Sequence, residues 1–341
     1  MKKTLALLLV LLMLSASGCG KKQEVTKKEE TNKPVEYEEV TEIPDNEFCK
    51  MMAKDTRPVA VMIDNDSDDA RPQIGLESAY MVYEIIVEGS ATRLMALFKD
   101  HNIEKVGPIR SSRHYFLDFA LEHDAIYCHA GWSPKAEADI PALGVNNING
   151  ILGGDGTAYW RDNTYDNTWH NLYSGVDKLY KKATEEKGYR GETDVKHNEY
   201  YNEDTTLENG ETALDVSLPY SGFYKVSYKY DSNTGLYTRF INGKEHMSQN
   251  GNPLTAKNII IYNVTNYDLN DGSGKGRQEV ETVGSGSGYY VTNGKFIEIT
   301  WSKASRKDKT IYKTADGNEL KLNPGNTYVQ IIPNSAVATI A

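Results

Sequence analysis

The sequence predicts an α+β protein: a mixed, layered α/β N-terminal domain followed by a mainly β C-terminal domain. Three observations predict it. In the first half, short apolar runs such as RPVAVMID (57–64) and AIYCHAG (125–131) alternate with helix-like segments. Beyond residue 220, stretches such as FYKVSYKYDSNTGLYTRFING alternate polar and apolar residues around turn-forming pairs. Between the halves lies NEDTTLENGETALDVSLP (202–219), polar and poor in apolar runs.

The chain opens with MKKTLALLLVLLMLSASGC, in which Lys2 and Lys3 precede an unbroken apolar run from Leu5 to Leu14 and then small residues. That is the layout of a secretory signal peptide over 1–18, and the run is too short to span a bilayer. Ala16-Ser17-Gly18-Cys19 is similar to a bacterial lipobox, which predicts lipidation (palmitate-type acyl chains) on Cys19. Residues 19–47 are rich in Lys, Glu and Thr and predict a disordered, lipid-anchored tether. Fully extended it reaches on the order of 90 Å. The expected location is therefore extracytoplasmic, on the outer face of the cytoplasmic membrane.

Within the expected N-terminal domain (48–205), RPVAVMID reads as a buried strand with Asp64 at its exit. AYMVYEIIVEGSATRLMALF (79–98) reads as a hairpin turning at Gly89-Ser90. GPIRSSRHYFLDFALEHD follows as loop and helix, and AIYCHAG as a second buried strand. Ser133-Pro134 supplies an N-cap and a first-position proline for the next helix. Residues 145–173 read as packed or functional loops, and GVDKLYKKATEEKG as a helix. A linker over 206–219 leads to the β domain (220–341), whose strands include KNIIIYNV, YYVTNGKFIEITWSK and TYVQIIP.

The formal net charge of −10 argues against a nucleic-acid partner. Cys49 and Cys128 are either buried thiols or one disulfide. No cysteine cluster suits a metal. DNDSDDA places Asp64, Asp66 and Asp68 at calcium-loop spacing, but Asp69 stands where glycine is needed and Gly75 where the bidentate Glu belongs. A solvated turn is expected there, and neither metal nor cofactor. The 23 tyrosines against 7 phenylalanines suit carbohydrate, wet interfaces or exposed sheet.

The sharpest feature is electrostatic. Arg110 and Arg113, with His114 alongside, sit just before the first turn of a helix, where the macrodipole is positive and cations are disfavoured. They need carboxylates or an external anion. Alternation puts Glu84 and Glu88 on one face of the hairpin, and a two-residue Gly-Ser turn would pair Ile86 with Arg93 and bring Arg93 to that face. The expectation is a cleft lined by Glu84, Glu88, Arg93, Arg110 and Arg113. Its surplus of cations would grip a carboxylate or phosphate, helped by N–H donors of the helix start. His129 and Trp132, where a strand ends and a helix begins, and Trp169, His170 and Asn171 are expected to join it.

RPVAVMIDN, RPQIGL, VEGSATR, VGPIRSSR, HAGWSP and WHNLY together resemble the YerB family of bacterial lipoproteins, and KNIIIY, GSGSG, ITWSK and NPGNTYVQIIP resemble its C-terminal domain. The resemblance implies a two-domain protein of Gram-positive-type bacteria with a layered α/β first domain, and it implies no particular reaction. Ser90 and Trp132 stand where the family pattern has a second glycine.

Three functions fit. The first is a membrane-tethered protein that binds an anionic ligand, a wall polymer or peptide fragment. The second is a wall-modifying hydrolase or transferase using Glu88 with His129 or His170, although the chain has no H-E-x-x-H zinc motif and no G-x-S-x-G elbow. The third is a scaffold for another secreted protein, docking through the β domain.

Overall fold

The computed structural model describes residues 46–165 and 169–341. The leader, Cys19 and all but the last two residues of the tether (46 and 47) lie outside the described residues. The described residues belong to one compact unit, and among them no helix is long and apolar enough to cross a membrane.

A seven-residue helix, α1 (Glu47–Ala53), capped by Asn46, leads into β1 (Val59–Asn65). Every residue of β1 is buried, as an unbroken apolar run requires when both faces of a strand are covered. The hairpin β2 (Met81–Ile86) and β3 (Thr92–Phe98) follows, then α2 (Phe116–Glu122), β4 (Ile126–His129), α3 (Pro134–Leu143) and β5 (Asn147–Asn149). Ser133 caps α3 by accepting from the Ala136 N–H, and Pro134 opens it, as expected. The expected helix at 175–188 starts as α4 (Val176–Lys181) and continues as a π-helical turn over Lys182–Glu186.

Among the described residues eleven strands make one sheet. Its order is Ile311–Lys313, Lys295–Lys303, Gly284–Thr292, Asn258–Val264, Thr327–Pro333, β2, β3, β1, β4, β5, with Glu211–Thr212 also pairing on Lys295–Lys303. The sheet thus draws on both sides of the expected 206–219 linker, and that stretch itself supplies Glu211–Thr212 and the strand Asp215–Pro219. The join is parallel pairing of Thr327–Pro333 with β2 on one side and with Asn258–Val264 on the other. A second sheet, built around Asp215–Pro219, Lys225–Asp231 and Leu236–Ile241, meets the face that carries Glu84. On the opposite face α2 stacks Phe119 on Tyr83, ring centroids 4.6 Å apart. Helices, large sheet and small sheet together give the α+β class.

The tyrosines mostly build the core. Tyr83, Tyr115 and Tyr127 are buried, and their hydroxyls reach Glu122 Oε1 (2.8 Å), the Ile86 carbonyl (2.7 Å) and Ser112 Oγ (2.8 Å). Each ring buries apolar area while its hydroxyl satisfies a buried polar group. Cys49 and Cys128 are both buried and free, the thiol alternative.

The hairpin departs from the expected register. Its turn holds three residues, Glu88, Gly89 and Ser90, with Val87 and Ala91 closing it, so Arg93 lies opposite Ile85 rather than Ile86. A one-residue slip moves a side chain to the other face. Arg93 therefore leaves the face of Glu84 and joins that of Asp64, directly opposite it on β1. Ser90, at φ 63°, takes the left-handed conformation that glycine adopts without cost.

Candidate functional site

At the carboxyl end of β1 the segment Pro108–Ser112 is stitched between two strand ends. Asp64 N–H donates to the Pro108 carbonyl and Arg110 N–H to that of Met62, while Ala130 N–H donates to Arg110 and Ser112 N–H to Gly131. Gly131, at φ 80°, lets the backbone come close: a Cβ there would lie 3.2 Å from Ser111 Oγ. This arrangement aims Arg110 and Arg113 at the exit of β1 and at the hairpin turn.

Asp64 is fully buried and is the hub. Its Oδ2 lies 2.7 Å from His170 Nδ1 and 3.0 Å from Arg110 Nε. Burial alone would raise its pKa, but the His170 hydrogen bond and the Arg110 and Arg93 guanidiniums outweigh it and hold the carboxyl below its usual range. The same hydrogen bond raises the pKa of His170 against the opposing effect of burial. Arg110 Nη2 also reaches Asp66 Oδ2 at 3.3 Å. Arg113 grips Glu88 Oε1 through Nε (2.7 Å) and Nη2 (2.5 Å), and Arg277 Nε stands 3.8 Å from the same oxygen. Burial would raise the Glu88 pKa, and Arg113 reverses this and lowers it.

Arg93 differs from its neighbours. It is 5% exposed, donates Nη1 to the Ser111 carbonyl at 2.7 Å, and keeps Nε without a partner. Among the described residues no carboxylate stands within ion-pair distance of it. Burial, reinforced by the Arg113 charge, lowers its pKa to about 10. A buried cation in that state is costly unless an anion joins it.

The structure thus brings together Glu88, Arg93, Arg110, Arg113 and His170, and it does not bring Glu84. Glu84 is fully buried on the other face, paired with Arg239 Nη2 at 2.8 Å and accepting from Thr92 and Tyr224 at 2.7 Å each. The expected surplus of cations also changes. Asp64 and Asp66 take Glu84's place, so the three expected guanidiniums face three carboxylates, Arg277 at the edge brings its own partner in Asp271, and what remains is the unpaired position of Arg93. Nor does α2 offer its N-terminus, because the Phe116 and Leu117 N–H groups already donate to the Arg113 and His114 carbonyls.

His129 is sealed. Its Nδ1 lies 2.8 Å from the Gly131 carbonyl, its Nε2 lies 3.2 Å from Asn147 Oδ1, and burial lowers its pKa. Trp132 is half-buried beside it, ring centroids 5.8 Å apart. Trp169, 69% exposed, immediately precedes His170. Asn171 is held by Arg161 and Asn163. Asp64 and Asp66 were legible only as a loop at a strand exit. Their signal was a carboxylate ending an otherwise apolar buried strand. Asp64, Asp66 and His170 place ligand atoms within 4.8 Å of one another, but Arg110 holds both carboxylates, which fits a cation poorly. Asp68 pairs with Arg71 at 2.8 Å instead.

Charged side chains gather where the parallel strands β1 and β4 end, the position at which layered α/β folds commonly place ligand contacts. Residues 48–190 match the family described as "Protein of unknown function (DUF3048) N-terminal domain", and residues 216–329 match its C-terminal domain. The chain belongs to this family. It is 32% identical over 287 residues to a Bacillus subtilis (strain 168) protein described as "Putative lipoprotein YerB", covering 84% of each chain. The crystal structure of the YerB protein from Bacillus subtilis matches with a TM-score of 0.72 and 30% identity, over 83% of this chain and 94% of that one.

Proposed function

We propose that this lipoprotein of the YerB type is held at the outer face of the cytoplasmic membrane of a Gram-positive-type bacterium through Cys19, where it binds the anionic group of a wall polymer or peptide fragment. Arg93 carries the reading: a buried guanidinium with an unpartnered Nε and, among the described residues, no carboxylate at ion-pair distance is relieved by an incoming anion. Arg110 and Arg113, pre-positioned by Asp64 and Glu88, add charge-assisted donors. Trp169 and Trp132 offer aromatic surface for the rest of the ligand.

Calorimetric titration with soluble wall fragments tests this. Binding weakens as salt rises, and Arg110→Ala lowers affinity by about one to two orders of magnitude, the worth of a charged hydrogen bond of about 1.5–3 kcal/mol. Binding that ignores both salt and Arg110→Ala sinks the reading. For the anchor, Cys19→Ala is expected to shift the protein from the membrane fraction to the medium; retention on the membrane would remove Cys19 from the account.

One observation favours a second reading, a wall-modifying hydrolase or transferase. Asp64 orients His170 through Nδ1, the arrangement that prepares an imidazole for proton transfer. In this reading His170 is the acid–base group. Glu88, locked on Arg113, and His129, sealed on both nitrogens, are poor candidates. Fragments released from isolated walls by the wild type but not by His170→Gln would support it; equal release by both would end it.

A further inference from the structure

Far from the arginine cluster in the sheet order, the outermost long strand leaves a notch. Lys295–Lys303 pairs along its whole inner side with Gly284–Thr292. Its outer side is covered in two pieces. Lys295 and Phe296 pair with Thr212 and Glu211, and Thr300–Ser302 with Ile311–Lys313. Between them Ile297, Glu298 and Ile299 have no strand neighbour on that side among the described residues. The hairpin turns at Asn293-Gly294, both at positive φ, so its flanking residues Thr292 and Lys295 exchange hydrogen bonds with each other. Counting by two from Lys295, the backbone groups of Ile297 and Ile299 point inward and those of Glu298 point out into the notch. From Phe296 to Thr300 the slot spans roughly 13 Å, room for about three extended residues.

The notch is the floor of a groove of about 890 Å³. Half-buried Leu207, Phe296 and Ile297 give it apolar surface. Six exposed acids line it: Glu199, Glu208, Glu211, Glu298, Asp316 and Glu319. The single lining base, Lys321, is held by Glu199 at 3.0 Å, and Lys309 pairs with Glu319. Glu208, Glu211 and Glu298 have no cation in ion-pair reach among the described residues. An open strand edge recruits an extended chain through main-chain hydrogen bonds, and the rim selects its charge.

We infer that this groove binds a short extended cationic segment of an extracytoplasmic partner protein, lysine or arginine alternating with apolar residues, added as a strand beside Glu298. The inference is independent of the anion site.

The probe is a fluorescein-labelled Lys-Ile-Lys-Ile-Lys amide, followed by anisotropy with the whole described unit. It binds saturably at low salt and weakens as salt rises. The double variant Glu211→Lys with Glu298→Lys, both side chains exposed, weakens it at least about tenfold, and Arg110→Ala leaves it unchanged. A peptide with proline replacing its central lysine, which cannot donate a backbone hydrogen bond, also loses at least about tenfold; this arm needs no protein variant. Equal binding of the proline peptide, equal binding of a glutamate counterpart, or no saturable binding overturns the proposal. A concentration-dependent dimer abolished by the double variant would overturn it too, in favour of a second copy as occupant.

Discussion

Arg110 and Arg113 could be singled out because a cation before a helix start conflicts with the helix dipole, and such conflicts are visible in sequence. Their partners were not. Asp64 and Asp66 lie more than forty residues upstream, and His170 sixty residues downstream of Arg110; only folding brings His170 to 2.7 Å from Asp64 and 3.7 Å from Asp66, and Arg110 to 3.0 Å and 3.3 Å from the same two acids. The Asp64–His170 pair makes a prediction about pH. The folded pKa of His170 is raised above 6.5 by the Asp64 hydrogen bond. Its stabilising contribution is therefore fully present below the unfolded value and lost as pH rises through the folded one. Asp64 has the opposite sense: its folded pKa is depressed, so its contribution holds above the unfolded value and is lost as pH falls through the folded one. The melting temperature of wild type should exceed that of His170→Gln most clearly near pH 5.5, and the gap should narrow by pH 9. NMR should place the His170 titration midpoint above 6.5. A midpoint at or below that value, or a gap indifferent to pH, would contradict the pairing.

For most elements existence and type were legible and register was not; among the exceptions are β5, inside the stretch expected as loops, and the strand Asp215–Pro219, inside the expected linker. The apolar run of β1, the cap of α3 and the alternation of the later strands all announce themselves locally. The hairpin turn did not, because Gly-Ser admits either a two- or a three-residue loop, and one residue decides which face Arg93 occupies. The consequence for Glu84 is large. It ends between the two sheets, where Arg239 is also fully buried and donates only within the protein: Nη1 to Tyr228 Oη (2.7 Å) and Nε to His246 Nδ1 (2.9 Å). Burial would lower the Arg239 pKa, but the Glu84 carboxylate overrides it and raises it. Removing one partner strands the other charge. Arg239→Met is expected to destabilise the protein by about 3–5 kcal/mol in urea unfolding. Adding Glu84→Gln should restore part of the loss, and a simple sum of the two single effects would argue against coupling.

In the whole molecule, the two family-matched segments share a sheet. Thr327–Pro333 sits between β2 and Asn258–Val264, so the segment ending near residue 205 would expose the long edge of β2 if made alone. A second tie is Lys303, fully buried in the later half, whose Nζ lies 2.6 Å from Glu122 Oε2 in α2. Residues 46–205 expressed alone should therefore lack a cooperative thermal transition, while the full described unit unfolds in one. Independent cooperative folding of 46–205, seen by calorimetry and near-UV circular dichroism, would show that the shared sheet is dispensable.

The chain's local patterns determined its α+β class, most of its strands and the unusual placing of two arginines, because each of these depends on residues within a turn or two of one another. Only the tertiary structure decided which acids meet those arginines, which face holds Arg93, and that Glu84 belongs to a sheet-to-sheet bond with Arg239. These outcomes depend on a one-residue register and on strands hundreds of residues apart, where pairing is governed by packing across the whole sheet rather than by neighbours in the chain.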